Sequence, residues 1–226
     1  WCIHPESFVE GVKVMGGTKT PNINKLRDAR PDIVILDREE NPKEVYEALN
    51  EAGIETFVSE VEHPSEVPDM LIQLGERLNL EAKASELASY IRTELEGISQ
   101  QEGPIVLPMI WHEPLMAVSP RKYSGALLEA CGFRVPDLEP NGNGYPVVSP
   151  EQIMEHNVEG LLLSSEPHEF SKQEGEAICD AVEALGGQRP WTKCIDGEAL
   201  TWFGSHTLQG LRTFTALCKD LKTGDD

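Results

Sequence analysis

Four side chains of metal-ligand type, His4, His112, Glu113 and His206, are spread along the 226-residue chain. Imidazole and carboxylate are the donors that borderline divalent metals take. None of the four stands at the spacing of a local metal motif. Each is therefore read as a hydrogen-bonding residue, and no metal site of the protein's own is expected. His4 is singled out as an imidazole able to cap a metal centre carried by a ligand, whereas His63, His156 and His168 are read as surface residues. Gly16-Gly17-Thr18-Lys19 lacks the GxxxxGKS/T spacing of a phosphate loop. It reads as a tight turn into a helix, with Lys19 and the helix N-terminus near Asn22 as the groups to meet an acidic ligand. Arg38-Glu39-Glu40-Asn41 reads either as a solvated turn or as a polar contact to ligand amides. Trp111-His112-Glu113-Pro114 follows an apolar strand, which leaves Trp111 as a core residue or as a ligand wall. The sequence has no G-x-S-x-G elbow, no paired acids with an evident base and no HExxH, so enzyme chemistry has no positive support.

The elements that must hold these residues alternate. Asn22 or Thr20 caps a helix over 23–29 with Pro21 at its start, and Asp32–Leu36 reads as a buried strand. A helix over 41–52, a strand over 55–59 and an amphipathic helix ending near Leu78 follow. Glu81–Gln101 then reads as one long helix, with Ala84, Leu87, Ile91, Leu95 and Ile98 at steps of three and four and no Pro. Beyond it the alternation restarts: a strand over 104–110, a helix over 123–131, a loop over 136–146, and a helix opened by Ser149-Pro150-Glu151. A strand over 158–164, a helix over 172–185, a short strand over 193–195 and a closing helix over 207–221 complete the chain. TPNINKLRDARPDIVILDREEN and VSPEQIMEHNVEGLLLSSEPHEF share one order: cap, proline, short helix, buried strand, polar loop. This predicts two similar α/β lobes with parallel sheets, residues 1–79 and 103–226, joined by a rigid helix over 80–102. Ligands of such sheets sit off the carboxyl ends of the strands.

A net charge of −20 argues against a nucleic-acid or anionic-membrane surface, which needs clustered Lys and Arg. No apolar run approaches the ~18 residues of a membrane span. The five cysteines, Cys2, Cys131, Cys179, Cys194 and Cys218, show no CxxC spacing and read as buried free thiols or disulfide partners.

Taken in order, CIHPES, GGTKTPNINKLRDARPDIVILDREEN, the long helix, SGALLEACG, YPVVSPEQIM and EALTWFGSHTLQGL resemble the helical-backbone (class III) periplasmic binding proteins. These are the substrate-binding components of ABC importers for vitamin B12 (cobalamin) and iron chelates, and the similarity covers nearly the whole chain. The resemblance implies two Rossmann-like α/β lobes, one long bridging helix and a ligand cleft between the lobes. The family's first strand and helix would precede Trp1, so they are expected to be missing here.

It also implies roles by position. Trp1 falls where an aromatic ring stacks on the ligand, and Thr18 falls at a second aromatic position without being aromatic. Tyr145 matches a ligand-facing tryptophan, and Trp202-Phe203 matches an aromatic pair on the cleft side. With His4, Lys19, Arg38 and Trp111, these form the expected ligand-binding set. Glu151 matches one of two carboxylates that dock on the permease; the other position holds Asn24, which is not a carboxylate. Cys131 and Cys218 match a disulfide of the family, which would place the chain in an oxidising compartment; Cys179–Cys194 is a second, weaker pairing. The implied protein is a periplasmic monomer that is not an enzyme, carries no prosthetic group, and brings a cobalamin-like corrinoid or iron chelate to an ABC permease in the inner membrane. The alternatives are a cytosolic corrinoid- or metal-sensing protein, and a metal-dependent enzyme on the same two-lobe plan with His4, His112 and His206 as ligands.

Overall fold

The structure, a computed structural model, describes residues 3–99 and 102–223. The chain divides into two compact units, 1–60 and 61–226.

In the first unit the helices α1 (Glu6–Val9), α2 (Ile23–Ala29) and α3 (Lys43–Glu51) accompany two strands, β1 (Val34–Asp37) and β2 (Thr56–Ser59), which pair in parallel with Val34 opposite Thr56. Asn22 caps α2 by accepting from Lys25 N at 2.9 Å. The core is small: Leu36, Val45, Leu49 and Ile54, with Ile23, Leu26, Val34 and Ala52 packed against it. The apolar run before Gly16 forms no strand, and Val12 and Val14 are exposed. Gly16 instead turns the chain at φ +119°, where an added Cβ would stand 2.9 Å from Thr20 O. Its glycine is required by both conformation and space.

The second unit opens with a single 3₁₀ turn at Pro64–Glu66, then α4 (Val67–Leu78) and α5 (Glu81–Gly97). The helix expected to reach Gln101 ends at Gly97, with Ile98 extended at its C-terminus. It lies against α4 and belongs to the second unit. Arg92 reaches Asp69 of α4 at 2.6 Å, and Gly75 of α4 faces Ala84 of α5 so closely that an added Cβ would meet the alanine methyl at 2.3 Å.

The second sheet has the order β4-β3-β5-β6, with β3 (Val106–Trp111), β5 (Gly160–Ser164) and β6 (Trp191–Ile195) parallel and the two-residue β4 (Met116–Ala117) antiparallel to β3. All five residues of β5 are buried, as a central parallel strand requires. Around the sheet stand α6 (Tyr123–Ala130), α7 (Pro150–Glu155), α8 (Lys172–Ala184), α9 (Gly197–Thr201) and α10 (His206–Thr223). Ser149 and Ser171 open α7 and α8 with reciprocal caps to Gln152 and Glu174. On α8, Glu176, Asp180 and Glu183 all converge on Arg189, the last at 3.1 Å. One guanidinium thus gathers three carboxylates, which raise its pKa, chiefly through the hydrogen bond to Asp180.

The expected Cys131–Cys218 bond is not made. Both cysteines are buried free thiols in the largest core cluster, where the Cys131 thiol donates to Leu211 O at 3.6 Å. Cys179 and Cys194 do not pair either: Cys179 is buried and donates to Pro190 O at 3.2 Å, while Cys194 is exposed on β6. Cys2 lies outside the described residues.

Candidate functional site

In the first unit, the turn at Thr18-Lys19 and the loop at Arg38–Asn41 interlock off the carboxyl end of β1. Thr18 Oγ1 donates to Glu40 Oε2 at 3.2 Å, and Lys19 Nζ donates to Glu39 O at 2.6 Å and stands 3.7 Å from Glu40. Asn41 fastens the two segments, donating to Thr18 O at 2.8 Å and accepting from Asp37 N at 2.7 Å. Asp37 in turn caps the loop amides of Glu39 and Glu40 and accepts from Ser59 Oγ at 2.9 Å. Arg38 is ion-paired with Glu60. Thr18, Lys19 and Arg38 therefore share the expected edge of the sheet, each already engaged by an acidic residue or its backbone. His4 is exposed in the segment before α1, and Trp1 lies outside the described residues.

In the second unit, three strand ends carry the chemistry. Trp111 ends β3, is 41% exposed, and donates its indole N–H to Glu113 O at 2.9 Å. The loop after β5 brings His168 edge-on to Trp111, with ring centroids 6.1 Å apart, and lays it against His112 at 5.7 Å with the planes within 15°. Phe170 stands edge-on to both imidazoles. His168 is half-buried, not the surface residue expected, and its Nε2 lies 2.9 Å from Glu174 Oε1. Ser171 donates to the same carboxylate from its backbone and its hydroxyl and, with His168, holds the Glu174 pKa down to about 2.

After β6, α9 begins at Gly197, which packs so tightly on Glu166 that an added Cβ would meet it at 2.4 Å. This closeness lets Trp202 Nε1 and Thr201 Oγ1 both donate to Glu166 Oε1, at 2.7 and 2.8 Å. Trp202 also stands 5.4 Å from the His206 ring. Phe203, partly buried, packs edge-on to Tyr123 at 5.6 Å beside the core. His112 meets His168 and Glu174 as its metal-type neighbours.

Tyr145 lies elsewhere in the unit, lining a groove of about 610 Å³ with Met116, Leu138, Glu139 and Gln152. An adjoining groove of about 570 Å³ is lined by Glu62, His63, Arg121, Lys122 and Asn143. Lys122 connects the two: it pairs with Glu62 at 3.2 Å and holds its ammonium 5.9 Å from the Tyr145 ring centroid. Arg121 is held by Asp137 at 2.8 Å. Sequence reading passed over Arg121, Lys122, Glu166 and Glu174 and took His168 for a surface residue. The Ser171-to-Glu174 capping box was a local signal for Glu174; the others carry no spacing signal.

Asn24 and Glu151 occupy matching places, each two residues past its helix cap, Asn22 or Ser149, and both are exposed. The Glu151 carboxylate is held below its ordinary pKa by Ser149 and by its own backbone N–H.

Two α/β units with parallel strands make the architecture of the chain. Residues 4–184 match the periplasmic binding protein family, and the chain belongs to it. The periplasmic vitamin B12 binding protein of Vibrio cholerae is similar in structure, with 19% identity, a TM-score of 0.75, and coverage of 97% of this chain and 86% of that one. A periplasmic heme binding protein from Pseudomonas aeruginosa gives 20% identity, a TM-score of 0.75, and coverage of 96% and 81%. An ABC transporter substrate-binding protein from Listeria monocytogenes gives 17%, 0.73, and coverage of 95% and 86%. No curated protein sequence matches the chain.

Proposed function

We propose that the chain is the substrate-binding component of an ABC importer and that it takes a cobalamin-like corrinoid or an iron chelate such as heme. The observation that carries this reading is the pairing of indole and imidazole in the second unit, Trp111 with His168 at the ends of β3 and β5 and Trp202 with His206 between α9 and α10. Rigid aromatic faces hold a large planar ligand at low entropic cost, and an imidazole beside them suits a ligand that carries a metal. Tyr145, Phe203, His4, Thr18, Lys19 and Arg38 remain proposed ligand contacts. Solute-binding proteins of this family and of the similar structures support a binding role without catalysis and an extracytoplasmic location. The thiols lend no support to an oxidising compartment, because the bond on which that argument stood is not made.

Docking on the permease is assigned to Glu151, which stays ionised and exposed. Asn24, neutral at the matching place in the first unit, favours a second reading in which the protein binds the same ligands as a sensor without a transporter.

Isothermal titration with cyanocobalamin, hemin and a ferric catecholate tests the reading. Saturable binding of one of them, weakened at least about tenfold by Trp111→Ala or Trp202→Ala, is the expected result, since truncating an aromatic anchor costs ~1–2 kcal/mol or more. No heat with any of the three would overturn it. Loss of transporter association in Glu151→Ala, with ligand affinity unchanged, would separate importer from sensor.

A further inference from the structure

His112, His168 and Glu174 each offer one ligand atom, and these atoms all lie within 4.8 Å of one another. Glu174 Oε1 is 2.9 Å from His168 Nε2 and 3.6 Å from His112 Nδ1. In a tetrahedral site with bonds of ~2.0–2.1 Å, neighbouring donor atoms stand about 3.3 Å apart, and the two observed separations straddle that value. A simple hydrogen bond from the 165–170 loop to α8 would need only one imidazole. Here a second one, from the end of a different strand, faces the same carboxylate oxygen.

The surroundings are those of a built site. Ser171 N and Oγ both donate to Glu174 Oε2 at 2.6 Å, which fixes the carboxylate and turns its other oxygen to the imidazoles. Phe170 lies edge-on to His168 at 4.7 Å and to His112 at 6.1 Å, and Trp111 stands edge-on to His168 at 6.1 Å, so packing orients both rings. Outer partners of this kind orient ligands before a metal arrives. The side chains keep 35%, 29% and 24% of their surface exposed, which leaves an ion a path in and room for a further ligand.

We infer that His112, His168 and Glu174 form a divalent transition-metal site, with zinc as the reference ion and one coordination position open to water or a solute donor. Two neutral imidazoles and one carboxylate suit zinc, nickel or cobalt(II) and give calcium or magnesium too few oxygens. The site belongs to the protein itself and does not depend on the corrinoid or chelate reading. A bound ion would tie the end of β3 and the loop after β5 to the first turn of α8.

The test uses chelator-stripped protein and zinc chloride alone. Calorimetry is expected to give saturable binding of one zinc per chain, weakened at least about tenfold in His112→Ala and in His168→Ala and unchanged in His156→Ala, whose imidazole is exposed elsewhere. Circular dichroism of the metal-free variants checks that each is folded. The wild-type chain supplies a second measurement: zinc should protect His112 and His168, but not His156, from diethyl pyrocarbonate. No saturable binding, equal binding in the His112→Ala/His168→Ala double variant, or no protection of these two imidazoles would overturn the assignment.

Discussion

Cys131, Cys179 and Cys218 are buried, whereas Cys194 is exposed on β6. Burial pushes the Cys131 thiol up to about 12, since a thiolate has no water there to solvate it. The thiolate is the nucleophile, so a raised pKa means low reactivity until the pH approaches that value. Native protein treated with iodoacetamide at pH 8 should therefore be labelled at Cys194 within minutes and remain unlabelled at Cys131, Cys179 and Cys218. Moving to pH 9.5 should leave Cys131 nearly unreactive, and denaturant should expose all of them, as peptide mass spectrometry would read. Rapid labelling of Cys131 in the folded state would contradict the packing described. The same residues mark where sequence reading failed. Position alone suggested a bond between Cys131 and Cys218, but two thiols in one core cluster can serve as small hydrophobic groups.

At the scale of elements, α4 and α5 are held together at Gly75 and Ala84, where no room remains for another methyl. Gly75→Ala should lower stability by about 1–3 kcal/mol, the usual cost of overpacking, despite the better helix propensity of alanine. Ala84→Gly in the same chain should recover part of that loss, making the pair non-additive in urea unfolding. An unchanged midpoint for Gly75→Ala would show that the two helices can part without penalty. Much of this level was legible in the sequence. The caps at Asn22 and Ser149 and the buried run of β5 are local signals, and the structure places them as read. What escaped was short or non-local. The two residues of β4 are too few to show a period, and α9 depends on Asp196 accepting from Glu198 N and Ala199 N at its start. The reach of α5 was misjudged because its apolar spacing continues to Ile98, one residue past the end of the helix. For the candidate site, the strand-end position of Trp111 followed from the alternation of elements, whereas Trp202 was placed only by the family resemblance. The meeting of His112 with His168 required the sheet order, which brings β3 beside β5 and is not written in either segment.

At the scale of the whole molecule the two units are unequal. The first rests on a cluster of four buried apolar side chains and a two-stranded sheet, while the second has two extensive clusters on either side of a four-stranded one. Both belong to a chain with 39 acidic and 19 basic residues. The Arg189 clamp bears on this excess: Glu176, Asp180 and Glu183 would repel one another along α8, and a single cation reconciles them. Dissolved ions can take over part of that task. The distance over which charges feel one another shrinks from ~30 Å at 0.01 M salt to ~8 Å at 0.15 M. Melting temperature should therefore rise by a few degrees, roughly 2–4 °C, between those concentrations. In Arg189→Ala the rise should be steeper, because sodium ions must then do what the guanidinium did. A melting temperature independent of salt in both proteins would show that the acidic surface carries no strain. Through Arg189, the chain's tolerance of dilute media comes down to the loop that follows α8.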